Sequence, residues 1–478
     1  MVIASYAYKV KISSNHGSIQ RYLPYYKQDN RYMNSKKFAI KPLTLRFAIA
    51  APTGLGLLVF VGFVYLRGGR EKLSELKGRM EEELESAVEV PFGVAAAAVV
   101  VAAVVVILGA KMGLVLWWKP RRIEKHFLRQ GIGGPPYRFF IGNFKELVSM
   151  MAAASSHPMP NLSHNILPRV LSFYHHWKKI YGSTFVIWFG PIARVAVSDP
   201  DMIREIFITN SHFYEKNEAH PLVKQLEGDG LLTLNGPKWA LHRKIISPTF
   251  HMDNLKLLIP LVEESVVDMV QKWSSMTEET TSGETTSNLM TWTTVLLAMH
   301  PRWQILARHE VFTICGPRAL PSSDDVSKFK ILSMILNESL RLYPPTVATI
   351  RRANADVELG GRMIPRGTEF LIPILAVHHD QTIWGNDASE FNPERFSDGV
   401  SRAGNHPVGF IPFGLGVRNC IGQNLAVLEA KLAMVIILQR LSFRLAPTYQ
   451  HAPAVMMLLY PQYGAPILFE RIPLNQNY

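Results

Sequence analysis

Apolar residues recur in three ways along the chain, and each predicts a different element. Two stretches are apolar almost throughout: 47–66 holds no charge in twenty residues, and 92–110 continues past Lys111 through Met112 to Trp118. At about 1.5 Å per residue, either is long enough to cross a hydrocarbon layer of about 30 Å. Further on, apolar positions return with a period near 3.6 in 168–181, 254–273, 285–300 and 326–342, which predicts amphipathic helices. Short β-type runs at 184–189 and 194–198, bounded by Gly182, Gly190 and Pro200, predict a small sheet beside that helical body. The fold class is therefore mainly α with a small β-sheet, preceded by a membrane anchor.

Charge sharpens the division of the chain. The second apolar stretch ends in Trp117-Trp118 and then in Lys119, Arg121, Arg122 and Lys125, an aromatic and basic border that holds everything downstream in the cytosol. The first stretch is broken by Pro52, Gly54 and Gly56, which leaves open whether it is a second span or an extraneous leader. The net charge is +13, and before residue 47 nine Lys and Arg face the single acid Asp29. That pattern suits a juxtamembrane tail rather than a nucleic-acid surface. The organisation predicted is a basic leader over 1–90 with a possible extra span at 47–66, an anchor at 91–118, a basic and Pro/Gly hinge at 119–136, and a folded domain from 137 to 478. With two cysteines, Cys315 and Cys420, there is neither a disulfide framework nor a paired-cysteine zinc site.

Cys420 stands in Phe413-Gly-Leu-Gly-Val-Arg-Asn-Cys420-Ile-Gly422. A thiolate can ligate iron if its charge is stabilised, and a helix beginning just after it, predicted here over 423–441, turns its N-terminal amides toward the sulfur. Gly414 and Gly416 permit a tight turn, Gly422 lets a flat cofactor approach, and Arg418 supplies a cation for a propionate. The plain alternative for a lone cysteine is a small buried hydrophobe. Glu338 and Arg341, three apart, share a helix face, and Arg395 in Phe391-Asn-Pro-Glu-Arg395-Phe396 can reach the same carboxylate from another side. Trp239 and Arg243, four apart, likewise share a face, while His242 between them reads as packing.

These four motifs, in their order along the chain from Trp239 to Gly422, resemble those of cytochromes P450. The resemblance implies haem b ligated by Cys420, with Trp239, Arg243, Arg418 and Arg351 at the haem edge, Arg352 being a near-equal candidate to Arg351. It makes Glu338, Arg341 and Arg395 a structural triad that pins the cysteine loop. Glu284 and Thr285, in Gly283-Glu-Thr-Thr-Ser287, match the acid and alcohol through which the family delivers protons during oxygen activation, although Thr281-Ser282 replaces the usual Ala-Gly before them. From about Trp117 onward, Phe173 to Tyr181, Phe213 to Pro221, Ala376 to Gln381 and Pro447 to Pro453 resemble the plant brassinosteroid-inactivating hydroxylases. That likeness implies C-26 hydroxylation of brassinolide and castasterone in the endoplasmic reticulum membrane, with NADPH electrons passed by a partner reductase. A lipophilic substrate is implied, and no nucleic acid. Pro345 to Ile350 and Val455 to Tyr460 correspond to pocket-lining segments.

One interval is short. From Arg243 to Thr285 is 42 residues, and 254–273 already reads as one helix. The family places several more helices here, including the roof of the substrate pocket, and four of average length need about 45 residues before loops. A deletion junction near 274–284 is therefore expected, with the P450 fold incomplete. The alternatives to brassinosteroid hydroxylation are a truncated, inactive haem-protein fragment and an enzyme acting on another plant terpenoid or hormone.

Overall fold

The computed structural model describes residues 92–216, 228, 230–275, 285–317 and 319–472. The leader over 1–90 with its span at 47–66, most of the junction near 274–284, and Glu284 lie outside the described residues, as does the side chain of Thr285. The chain divides into two compact units between Met112 and Gly113. Helix α1, Phe92–Gly113, is mostly Ala and Val, with its one charge, Lys111, in the last turn. Among the described residues one helical stretch, Ala96–Arg129, is long and apolar enough to cross a membrane by length and composition.

In the second unit, α2 (Lys119–Arg129) and the hinge lead into α3 (Phe144–Ser155) and α4 (Ser172–Tyr181). The predicted 168–181 helix is two pieces, 167–170 and α4, because Leu171 leaves helical geometry at φ −124°, ψ 54°. Strands β1 (Thr184–Phe189) and β2 (Ile192–Val197) form the expected hairpin, two residues earlier at the second strand than its sequence suggests. They join β3 (Tyr214–Lys216), β4 (Thr349–Ala353) and β7 (Glu369–Ile372) in the order β1-β2-β7-β4-β3, with β2 and β7 parallel. Between these last two lie β5 (Val357–Leu359) and β6 (Arg362–Ile364), a separate hairpin.

The helical body comprises α5 (Gly236–Ile246), α6 (Ile259–Ser275), α7 (Thr285–Met299), α8 (Pro301–Cys315), α9 (Lys330–Leu342) and α10 (Gln423–Arg440). The helix expected over 254–273 is interrupted at Leu257-Leu258: Pro260 occupies the first turn of α6, where its missing N–H costs nothing. Most of α10 is buried on all sides, so this helix is the axis of the larger core cluster, in which Trp292, Leu336, Ile436 and Phe443 take part. A second cluster lies around the sheet, with Trp188, Phe370 and Ile411. Two short hairpins complete the fold: β8 (Leu441–Leu445) with β11 (Ile467–Arg471), and β9 (Pro453–Val455) with β10 (Leu459–Pro461).

Where α7 and the end of α9 approach the β9–β10 hairpin, a buried polar chain runs through the core. The Tyr343 hydroxyl lies 2.8 Å from His164 Nδ1 and 3.3 Å from His451 Nε2, and the other nitrogen of His164 lies 3.0 Å from His300. Trp292 stacks on Tyr343 and donates its indole N–H to the Leu459 carbonyl. Burial, and then the neighbouring His300, His451, His379 and Arg341, push His164 down to about 3; burial pushes His451 down to about 4. Folded-state values below the unfolded one near 6.5 mean that the unfolded chain binds more protons in acid. Stability is therefore full above pH 6.5 and declines as the pH falls toward 4, by at most about 2 kcal/mol per histidine at pH 5. Urea midpoints measured from pH 7.5 to 5 should fall steeply, and His164→Asn should flatten that slope.

Candidate haem-thiolate site

The loop before α10 is shaped by backbone constraints. Gly414 and Gly416 adopt φ +75° and +68°, and a Cβ on Gly416 would stand 2.0 Å from the Phe207 carbonyl oxygen, so no side chain fits there. The Cys420 N–H donates to the Phe413 carbonyl at 2.8 Å, which folds the loop back and places the cysteine two residues before Gly422, the N-cap of α10. Cys420 is exposed and unpaired with Cys315, which removes the reading of a small buried hydrophobe. A Cβ on Gly422 would lie 4.0 Å from its sulfur.

Arg243, Arg351 and Arg418 lie near one another beside this loop. Trp239 and Arg243 share α5, as i,i+4 spacing requires. Arg243 donates to the Asn419 carbonyl at 2.8 Å and to its side-chain oxygen at 2.9 Å, joining α5 to the residue beside Cys420. Arg418 lies 3.8 Å over the Trp239 ring and donates to the Leu234 carbonyl and to Asn235. Strand alternation separates the two candidates in β4: Arg351 is buried and Arg352 exposed on the opposite face. Arg351 lies 4.5 Å over the Phe207 ring and is pushed down to about 10, by burial first and by Arg418 second. Arg418 is pushed down mainly by burial, with Glu215 opposing and Arg243 adding to the shift. Such an excess of partly buried guanidinium charge favours an anionic group, and two propionates suit it.

Behind the loop, Arg341 makes a two-pronged pair with Glu338 at 2.7 Å on each side, and both side chains are fully buried. Its remaining donors reach the carbonyls of His378, Ala388 and Glu390. The second arginine faces Glu338 less closely: Arg395 Nε makes an ion pair with it at 3.6 Å, longer than a hydrogen bond, while its terminal nitrogens bond the Trp384 and Asp387 carbonyls and pair with the Asp387 carboxylate at 2.5 Å. The Asn392 N–H takes the place on Glu338, at 2.9 Å. His378, which the sequence alone did not single out, completes the brace. Its Nδ1–H faces the Arg341 carbonyl at 3.1 Å, and its Nε2 accepts from the Ile411 N–H at 3.0 Å. Burial, then His379 and Arg341, push His378 down to about 3, so it stays neutral and keeps that acceptor.

Among the described residues no group of three or more His, Cys, Asp or Glu could hold a metal ion, so the chemistry of the site falls to one sulfur with cations around it. That donor set fits haem: a thiolate for the iron, guanidinium groups for the propionates, and Gly422 near the sulfur. Thr285 opens α7, but the acid and alcohol pair itself, Glu284 and the Thr285 hydroxyl, is outside what the structure describes.

A family model described as Cytochrome P450 matches residues 159–283 and 280–469. Cytochrome P450 734A1 of Arabidopsis thaliana is 53% identical over 493 residues, covering 76% of this chain and 94% of the relative. Cytochrome P450 734A6 of Oryza sativa subsp. japonica is 44% identical, covering 74% and 92%. Cytochrome P450 734A2 of the same plant is 42% identical, covering 77% and 93%.

Proposed function

The chain belongs to the cytochrome P450 family of haem-thiolate monooxygenases, and from that premise we propose that it hydroxylates a brassinosteroid side chain at C-26, using dioxygen and NADPH electrons from a separate reductase at the cytosolic face of the endoplasmic reticulum. What carries the reading is the exposed Cys420 in a loop braced by Gly416 and the buried Glu338–Arg341 pair. Cys420 would hold the iron, Arg243, Arg351 and Arg418 the propionates, and Trp239 the haem edge beneath Arg418. When bound, haem supplies the oxygen-activating chemistry. Glu284 and Thr285 would move protons to the site. The segments proposed to line the pocket are neighbours, since the Leu459 N–H donates to the Pro345 carbonyl at 2.9 Å. An apolar lining there suits a steroid.

A second reading, a truncated haem-protein fragment without activity, has its own support. The two segments matched by the family model meet at 280–283, inside the expected junction. The alignment to the Arabidopsis relative is 493 residues long but takes in 76% of this chain's 478, about 363, so roughly 130 of its positions face no residue here. Leu241 and Ile245 on α5, and Leu261 on α6, are exposed, as apolar residues would be where further helices normally pack. One experiment separates the readings. The full chain, loaded with haem and supplied with NADPH and reductase, should convert castasterone to a hydroxylated product; a haem-loaded chain that forms none sinks the brassinosteroid reading, and one that also leaves other plant terpenoids and hormones unchanged is the inactive fragment. The transcript across residues 270–290 would then reveal whether an in-frame exon restores the block.

A further inference from the structure

The β9–β10 hairpin, which bears the segment from Val455 to Tyr460, is only three residue pairs long. A two-stranded ribbon of that size is marginal alone, so its place is decided by what its outer edges bond. The edge of β10 meets the helical body: the Leu459 N–H donates to the Pro345 carbonyl at 2.9 Å, and the Leu459 carbonyl accepts from Trp292 at 3.2 Å. On β9, the Pro453 carbonyl meets one side chain, Arg169 in the helical turn Leu167–Val170. Met456 and Met457 at the tip are exposed and lend the hairpin little packing.

All five N–H donors of Arg169 have acceptors. Nε reaches the Pro453 carbonyl at 2.9 Å, and one terminal nitrogen reaches the Ala154 carbonyl at 3.0 Å and the His157 carbonyl. The other terminal nitrogen reaches Gln462 Oε1 at 2.6 Å and the Ser155 carbonyl at 3.4 Å. Two acceptors thus flank the base of the hairpin, Gln462 standing one residue beyond β10, and three belong to the end of α3 and the turn after it. Among the described residues none of these partners is a carboxylate. The charge is met by carbonyl dipoles, with Ala154 and Ser155 at the negative end of α3. Burial pushes the guanidinium down, and Tyr463 opposes the shift. A helix end and a hairpin can each be finished by local caps, whereas a planar fork bonded to both fixes one against the other. Lysine, with three donors on one nitrogen, cannot span the two sets.

We propose that Arg169 is the positioning residue of the substrate wall: it sets where the β9–β10 hairpin stands, and with that which side-chain carbon of a steroid is presented to the iron. It acts through Pro453 and Gln462 rather than on the substrate. The inference rests on the proposed reading of Val455 to Tyr460 as pocket lining in a steroid hydroxylase.

The test uses the full haem-loaded chain with reductase, as Arg169→Lys and as Gln462→Leu. The second variant removes an acceptor on the hairpin side and leaves the α3 carbonyls bonded. Both should keep the red-shifted carbon-monoxide band. The amides from Ala454 to Tyr460 should exchange with deuterium about tenfold faster or more, as losing a hydrogen bond to a charged group implies. KM for castasterone should rise about tenfold while kcat changes less than about threefold, and a second hydroxylated carbon should appear among the products. Faster exchange with unchanged KM and a single product would make Arg169 a brace of the fold alone and overturn the proposal, as would unchanged exchange in both variants. Should Arg169→Lys lose the band, Gln462→Leu decides on the same measures. A wild-type chain that holds haem but leaves castasterone unchanged overturns the substrate reading instead. The anchor is then decided by exchange together with titration of two iron ligands, imidazole and the bulkier clotrimazole. A displaced wall should weaken clotrimazole about tenfold and spare imidazole; equal affinities in variant and wild type overturn the positioning role.

Discussion

Cys420→Ser is expected to abolish the red-shifted band of the reduced, carbon-monoxide-bound protein while leaving the far-ultraviolet circular dichroism unchanged. The fold should survive because what orders the loop at this position is the bond from the Cys420 N–H to the Phe413 carbonyl, which serine retains. The ligand should not survive, because a hydroxyl does not ionise at neutral pH as a thiol can. Cys315→Ser is the control. Burial pushes the Cys315 thiol up to about 11, so it holds no thiolate at neutral pH, and its replacement should keep the band. A band that persisted in Cys420→Ser and vanished in Cys315→Ser would reverse the assignment of the iron ligand.

Glu338→Gln should cost about 3–5 kcal/mol, because it leaves the Arg341 guanidinium buried without its counter-charge. Against a total stability of about 5–15 kcal/mol for a typical domain, that is a large share, and it should appear as a lowered urea midpoint with unchanged slope. Replacing both partners by apolar residues, Glu338→Leu with Arg341→Met, should recover part of the loss, since no lone charge remains. Arg395→Gln should cost less, because Arg395 is 3.6 Å from Glu338 and finds its main partner in Asp387. Equal losses in Glu338→Gln and Arg395→Gln would mean that the three residues act as a symmetric triad after all.

The parts of the site legible in the sequence are those built from short spacing. Glu338 with Arg341, Trp239 with Arg243, and the glycines around Cys420 are fixed by helix and turn geometry within a few residues. Which of Arg351 and Arg352 is buried depends on the parity of β4, fixed by its pairing with Phe370 and Glu369 on β7. What could not be read are contacts made across long separations. His378 meets Ile411, Arg395 divides itself between Glu338 and Asp387, and His164 meets Tyr343 from 179 residues away, and none of these leaves a spacing signal. Arg169 is a similar case: a buried guanidinium held by the Ala154, Ser155, His157 and Pro453 carbonyls and by Gln462, ties α3 to the β9–β10 hairpin through acceptors that any sequence could offer. The break at Leu257 was readable in principle, since Pro260 marks a new helix start.

The parallel pairing of β2 with β7 sets a timetable for the nascent chain. Ala196 pairs with Leu371, and Arg194 makes its buried ion pair with Glu369 at 2.6 Å, so the β1–β2 hairpin leaves the ribosome long before its partner strand exists. At 5–20 residues per second the wait is roughly 9–35 s. During it, the open edge of β2 is a template for wrong partners, and β4, which carries Arg351, can pair with β3 but cannot be joined to β2 until β7 stands between them. Cofactor capture at the arginine cluster is therefore a late event of synthesis, and a chain stalled before Glu369 would be one for chaperones to hold.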